Sequence, residues 1–361
     1  KIGWGKFIGT AGLFGAYEID ILRAVFAIII LIYHYHEIYQ RSANYFTRGY
    51  LGVEFFFLVS GYYLAWNAQR RNTNVTNATV HYVFDKLLSI IPTYVVSLFV
   101  LCGVLIINKR IGVYSLFIEL LKVPFNFSRF LTGAGSNILY LAPEWYLSVW
   151  IGVSALLYPL LICRYRNVFK YGMYVLCVIG FSYNYVTFGM ISNNDAYTVI
   201  RPELIRGFSE MVIGIAVYDI HRMIISNGKN IRNNIFLTCV KYICYMIFML
   251  NAFRYGEASD DIFAFGYLVL AFFLSVSGFS YNIPSNKYTS YVAKFSVELY
   301  LIQYPLQIFI VQRYGNDISQ NGYWICMVTV IVIAMLMIPI TATINRFICK
   351  EIEDFKASIY E

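Results

Sequence analysis

The chain has 361 residues, of which 59% are hydrophobic and only 13% charged, with a mean hydropathy of +0.60 and a formal net charge of +8. A soluble domain carries roughly twice that charged fraction, which excludes a soluble globular protein and leaves an integral membrane protein. The basic residues are spread among loops and the seven cysteines are scattered, so the sequence points to no nucleic-acid partner, no metal and no disulfide framework.

In chain order, residues 1–16 lack a continuous apolar run and a clear small-residue cleavage site, so no cleavable signal is expected. Ten segments are long and apolar enough to cross a bilayer: 18–37, 49–67, 90–107, 144–163, 169–188, 203–221, 235–253, 261–278, 291–311 and 323–345. The predicted fold is therefore all-α, a polytopic membrane protein with about ten transmembrane helices in a single domain over residues 1–361. With the N-terminus inside, sixteen of the twenty-eight Lys and Arg fall in inner loops and tails and nine in outer loops, while Arg23, Arg206 and Lys241 lie within spans. That bias predicts both termini in the cytoplasm. The thirty-three Tyr and twenty-nine Phe suit aromatic belts and aromatic helix packing, or the lining of a cavity.

The first span carries a fixed cation and an imidazole. Eleven helical steps from Arg23 to His34 turn the chain by about three full turns plus 20°, so both lie on one face, about 16 Å apart along the axis. Charged or titratable side chains cost several kcal/mol to hold in hydrocarbon, which makes the pair a candidate functional site. Asp20, three residues before Arg23, is spaced to hold its guanidinium. The bland alternative is that Arg23 snorkels to the headgroups and His34 merely bonds another helix. His36 falls about 200° away from His34 and reads as an interfacial residue.

The second span contains Gly52-Val53-Glu54-Phe55-Phe56-Phe57-Leu58-Val59-Ser60-Gly61. Its glycines permit close helix approach, and Glu54 requires a partner or a wet cavity unless it is hydrated at the outer interface. The connection 108–143 contains a short apolar stretch, Val113–Leu121, expected to lie as an interfacial or re-entrant helix, then a flexible Gly133-Ala134-Gly135-Ser136 turn. Pro143-Glu144-Trp145-Tyr146-Leu147-Ser148 opens the fourth span, where an acid at the helix start and an aromatic anchor are also the structural reading.

Taken together, these segments resemble the acyltransferase 3 family of bacterial membrane enzymes. Arg23 with His34 is similar to the family's Arg-x10-His, and the Gly52–Gly61 stretch to its Gly-Val-Asp/Glu-x-Phe-Phe-x-x-Ser-Gly. Glu144-Trp145-Tyr146-Leu147-Ser148 is similar to its Trp-x-Leu-Ser, and Ser296-Val297-Glu298-Leu299-Tyr300-Leu301-Ile302 to its late Ser-x-x-x-Tyr-Leu-Ile. Three positions depart from the pattern. Lys86 stands before Ile90-Ile91-Pro92 where the family often has two arginines, Trp150 follows Ser148-Val149 where many members have Glu, and Gln303 follows Leu301-Ile302 where many have His.

The resemblance implies transfer of an acyl group, most often acetyl, from cytoplasmic acyl-CoA to a hydroxyl of an exported carbohydrate, in a multi-pass protein of the bacterial cytoplasmic membrane. It implies no bound cofactor; acyl-CoA is a substrate, and a capsular, exopolysaccharide or lipid-linked glycan is the expected acceptor. His34 and Arg23 are then the candidate catalytic residues. Arg70, Arg71 and Lys86 are candidates for the CoA phosphates, and Asp20, Glu54, Ser60, Glu144, Trp145 and Ser148 for support or the acceptor side. The competing classes are a transporter or flippase, with Arg23, His34, Lys241 and Glu298 along a proton or substrate path, and an inactive scaffold.

Overall fold

Long apolar stretches without water to bond their peptide groups must close those bonds internally, and here they do so as helices. The computed structural model describes residues 16–39, 47–69, 74–126, 138–189, 191, 200–226, 233–254, 258–283, 288–315 and 320–360, and among these it contains eleven α-helices and no strand. They are α1 (Ala16–Tyr39), α2 (Gly52–Gln69, entered through a 3₁₀ turn at Gly49–Leu51), α3 (Val75–Ile107) and α4 (Val113–Asn126). There follow α5 (Glu144–Ile162), α6 (Arg166–Phe188), α7 (Pro202–Ser226) and α8 (Ile235–Phe253). The last three are α9 (Asp261–Ser277), α10 (Thr289–Tyr314) and α11 (Gln320–Tyr360).

Each of the ten predicted segments falls on one of these helices. Six helices, Tyr17–His36, Val75–Ile107, Glu144–Ile162, Ile235–Phe253, Ala258–Ser277 and Asn321–Ile352, are long and apolar enough to cross a membrane. The polar residues Arg206 and Glu210 of α7 and Glu298 and Gln303 of α10 lower the hydropathy of those helices, yet all four are buried inside the bundle. The largest difference from expectation is α3, which begins fifteen residues before the predicted apolar segment. Asn74 caps it by accepting from the Thr76 N–H at 2.9 Å, and no Gly or Pro interrupts the polar stretch that follows. The short α4 turns Leu116 and Val123 toward the bundle and leaves Tyr114, Phe117 and Leu121 exposed, the pattern of an interfacial helix. The Gly133–Ser136 turn, like residues 1–15, lies outside the described residues.

Apart from α4, successive helices alternate in direction, giving the bundle two ends. At one, Lys241 of α8 donates to Glu18 of α1 (2.8 Å) and to the Tyr281 carbonyl (2.6 Å) and Asn282 (3.0 Å) beyond α9. At the other, Arg48 and Tyr50, before α2, both donate to Asp261 at the start of α9, Tyr50 at 2.8 Å. We refer to these as the Asp20 end and the His34 end.

Two packings position the site. The backbones of α2 and α7 touch: a Cβ at Gly61 would overlap the Met211 carbonyl, and one at Gly214 would overlap the Leu58 carbonyl and lie 2.7 Å from the Tyr62 nitrogen. The second packing holds α1 in the seam between α2 and α10. Phe26 lies 4.6 Å from Phe55 of α2, centroid to centroid, and Gly52 leaves space for Ile30. On the adjoining face Ala24, Ala27, Leu31 and Tyr35 join Phe295, Leu299 and Ile302 of α10 in one apolar cluster. The strip of α1 between these two faces carries Arg23 and His34.

Candidate active site

The seam opens into a cavity of about 160 Å³ walled by α1, α2, α3, α5 and α10. Toward the Asp20 end its wall is polar and cationic, formed by Arg23, Ser60, Lys86, Ser89 and Ser296. Toward the His34 end it is apolar and aromatic, with Val53, Phe56, Tyr146, Tyr300 and Leu301.

Both cations are held by rings and neighbours. Arg23 donates to Asp20 at 3.1 Å, the pairing its spacing predicts, and its guanidinium lies 5.4 Å from the centre of the Tyr63 ring. The Lys86 ammonium stands 5.5 Å from the Tyr82 ring and 5.7 Å from the Trp150 ring. No Asp or Glu is among the described residues lining the cavity. Arg23 and Lys86 each have a carboxylate nearby, Asp20 and Asp85, and present charged N–H donors to the cavity that suit a polar or anionic ligand.

His34 is not part of the cavity wall. Its backbone carbonyl accepts from Gln307 Nε2 at 2.9 Å, and Gln307 lies six residues beyond Leu301 on α10. That places His34 about 9 Å beyond the cavity along the bundle. Its ring is half-buried beside Tyr33, at 5.1 Å, and makes no hydrogen bond among the described residues. The imidazole lies at the His34 end, on the same strip of α1 as Arg23 but beyond the aromatic end of the cavity.

A second cluster binds the remaining candidates. Glu54 is fully buried and ion-paired to Arg206 of α7, whose Nε donates to it at 3.1 Å, so the hydrated alternative does not hold. Arg206 also reaches Glu210 at 3.4 Å and the Tyr50 carbonyl at 3.3 Å, and lies 5.6 Å from the centre of the Trp145 ring. Glu144 accepts from Tyr94 at 2.7 Å and from the Leu141 N–H at 3.1 Å, closing the turn that enters α5. Ser148 donates to the Trp145 carbonyl of its own helix at 2.8 Å. Arg70 and Arg71 lie outside the described residues.

The family description "Acyltransferase domain" matches residues 16–344. The chain belongs to the acyltransferase 3 family. Comparisons with curated proteins and with solved structures returned no significant match. The protein is a multi-pass membrane acyltransferase.

In this acyltransferase all four motif segments reach the same cavity. Arg23 comes from the first, Val53, Phe56 and Ser60 from the second, Tyr146 and Leu147 from the third, and Ser296, Val297, Tyr300 and Leu301 from the fourth. Of the candidate residues, Arg23, Ser60 and Lys86 meet there. Glu54 and Trp145 converge on Arg206, and Glu144 and Ser148 serve their own helix start. Sequence reasoning missed Tyr146, Tyr300, Ser89, Ser296 and Trp150 as wall residues. Tyr146, Tyr300 and Ser296 belong to the motif segments, and Trp150 stands at one of the departures from them. Arg206 was visible as an intramembrane cation, but its carboxylate partner Glu54 lies 152 positions away and carried no sign of the pairing.

Proposed function

We propose that the enzyme transfers a short acyl group, acetyl first among them, from cytoplasmic acyl-CoA to a hydroxyl of a capsular, exopolysaccharide or lipid-linked glycan, across the bacterial cytoplasmic membrane. In this reading about ten helices cross the bilayer, the Asp20 end faces the cytoplasm and the His34 end faces outward. The observation that carries it is the convergence of all four motif segments on one cavity whose cytoplasmic end is cationic and whose described lining holds no carboxylate.

In this reading the linear pantetheine arm enters the cavity and the adenosine head stays at the cytoplasmic mouth. Arg23 and Lys86 hold the phosphates there. A pantetheine arm has the backbone length of about four extended residues, roughly 14 Å. That is close to the rise of about 16 Å from Arg23 to His34 along α1. The thioester thus arrives beside His34. The acceptor oxygen attacks the thioester carbonyl as the imidazole takes the hydroxyl proton; the C–S bond breaks, and the proton passes to the departing CoA thiolate. Ester and free CoA are the products.

Radiolabelled acetyl-CoA supplied to membranes containing the protein tests the reading, with His34→Ala and Arg23→Ala compared at equal expression. Label is expected in surface glycan with the wild type and lost with His34→Ala, whereas Arg23→Ala raises KM for the donor. Undiminished labelling with His34→Ala removes the imidazole from the chemistry.

A further inference from the structure

The polar end of the cavity carries more than its two cations. Ser60 of α2, Ser89 of α3 and Ser296 of α10 place hydroxyls in the same wall. Two of these hydroxyls have their protons engaged. Ser89 Oγ donates to the Lys86 carbonyl at 2.7 Å, and Ser296 Oγ donates to the Ala293 carbonyl at 2.8 Å. A hydroxyl has one proton and two lone pairs, so each of these meets a ligand as an acceptor. No Asp or Glu is in the described lining, which leaves serine oxygens as the side-chain acceptors that a ligand N–H meets at this end. Ser89 follows Lys86 by three residues on α3, on the same helix face and about 4.5 Å farther from the Asp20 end. The wall thus offers N–H donors at Arg23 and Lys86 and lone pairs at Ser89 and Ser296, with Val53, Phe56 and Leu301 making its apolar part.

We infer that Ser89 and Ser296 accept the amide N–H groups of the donor's arm, so that the site takes an amide-bearing arm rather than a plain hydrocarbon one. The inference rests on the acyl-CoA reading above. Two secondary amides follow the phosphates along a pantetheine arm, each with one N–H. An anionic phospholipid would also offer phosphate to Arg23 and Lys86, yet its hydrocarbon chains hold no N–H for the serines. Each contact is a neutral hydrogen bond, whose loss changes binding by about two- to tenfold. Serine hydroxyls also bond back to their own helix where no ligand is concerned. The two roles differ in what an N–H on the donor is worth.

The test uses the full chain in membranes and two labelled donors, acetyl-CoA and the acetyl-CoA analogue whose two arm amides are replaced by esters. The ester keeps the carbonyl and the length of the arm and removes the N–H. The quantity read is the ratio of kcat/KM for the two donors within each variant, from which the folded fraction cancels. The wild type is expected to favour acetyl-CoA by more than about fivefold. Ser89→Ala and Ser296→Ala should each lower that preference, and Ser89→Ala/Ser296→Ala should bring it to within about twofold of unity. A wild type that uses both donors equally, or a preference that the double variant keeps, overturns the amide contacts and leaves the acyl-CoA reading standing. The hydroxyls then serve only their own helices. A wild type that transfers acetyl from neither donor overturns both.

Discussion

Lys86 is the residue whose position changes most between sequence and structure. Read along the chain, it is a loop cation on the way to Ile90-Ile91-Pro92, suited to meet phosphates at the membrane surface. In the bundle it stands on a continuous helix, flanked by the Tyr82 and Trp150 rings, in the same cavity wall as Arg23. The signal was a polar stretch free of helix breakers, which extends α3 well before its apolar part. Loss of a charge-assisted contact to phosphate costs about 1.5–3 kcal/mol, roughly ten- to a hundredfold in binding. Lys86→Gln is accordingly expected to raise KM for acetyl-CoA by that order with a smaller change in kcat, and Lys86→Arg to recover much of it. Initial rates across donor concentrations check this, and an unchanged KM for Lys86→Gln removes it from the donor site. Wild-type KM should also rise with ionic strength, because screening weakens the attraction between the cationic mouth and the CoA phosphates.

At the scale of elements, the α2–α7 pair combines direct backbone contact with a buried cluster of three charged side chains. Gly61 and Gly214 leave no space for a methyl group, and Arg206 joins Glu54 and Glu210 where none of the three meets solvent. Removing the guanidinium leaves two buried carboxylates without their cation, a cost of about 3–5 kcal/mol. Arg206→Met should therefore lower Tm of the detergent-purified protein markedly, whereas Glu54→Gln/Arg206→Met/Glu210→Gln, with no net buried charge left, should restore most of it. Equal losses in the single and triple variants refute the ionic account. Gly214→Ala, by contrast, destabilises through overlap and by about 1–3 kcal/mol, with charge untouched. These elements also show what a sequence discloses. The helices were legible because apolar length and periodicity are local properties, and the small residues of Gly52–Gly61 announced close packing. The partner of Glu54, the enclosure of Lys86 and the meeting of Phe56, Tyr146 and Tyr300 were not legible, because they exist only once helices far apart in the chain lie side by side. Arg23 with His34 was the exception, since two residues on one helix need only the 3.6-residue turn to be placed on one face.

For the whole molecule the decisive property is direction. A donor made in the cytoplasm and an acceptor displayed outside require the cationic mouth and the imidazole to open to opposite sides. The alternation of the helices puts Asn77, early in α3, at the Asp20 end and Arg110, just beyond α3, at the His34 end, and both are exposed. In the proposed direction the Asp20 end, whose segments carry the excess of Lys and Arg, is the cytoplasmic one. In a background without the native cysteines, Arg110→Cys is therefore expected to react with a membrane-impermeant maleimide on intact cells. Asn77→Cys should react only after permeabilisation. The reverse pattern would put Arg23 and Lys86 outside, where no acyl-CoA is supplied, and would overturn the proposed direction of transfer even if the protein still bound the donor. Labelling as expected would make the path from Lys86 to His34 a crossing of the bilayer.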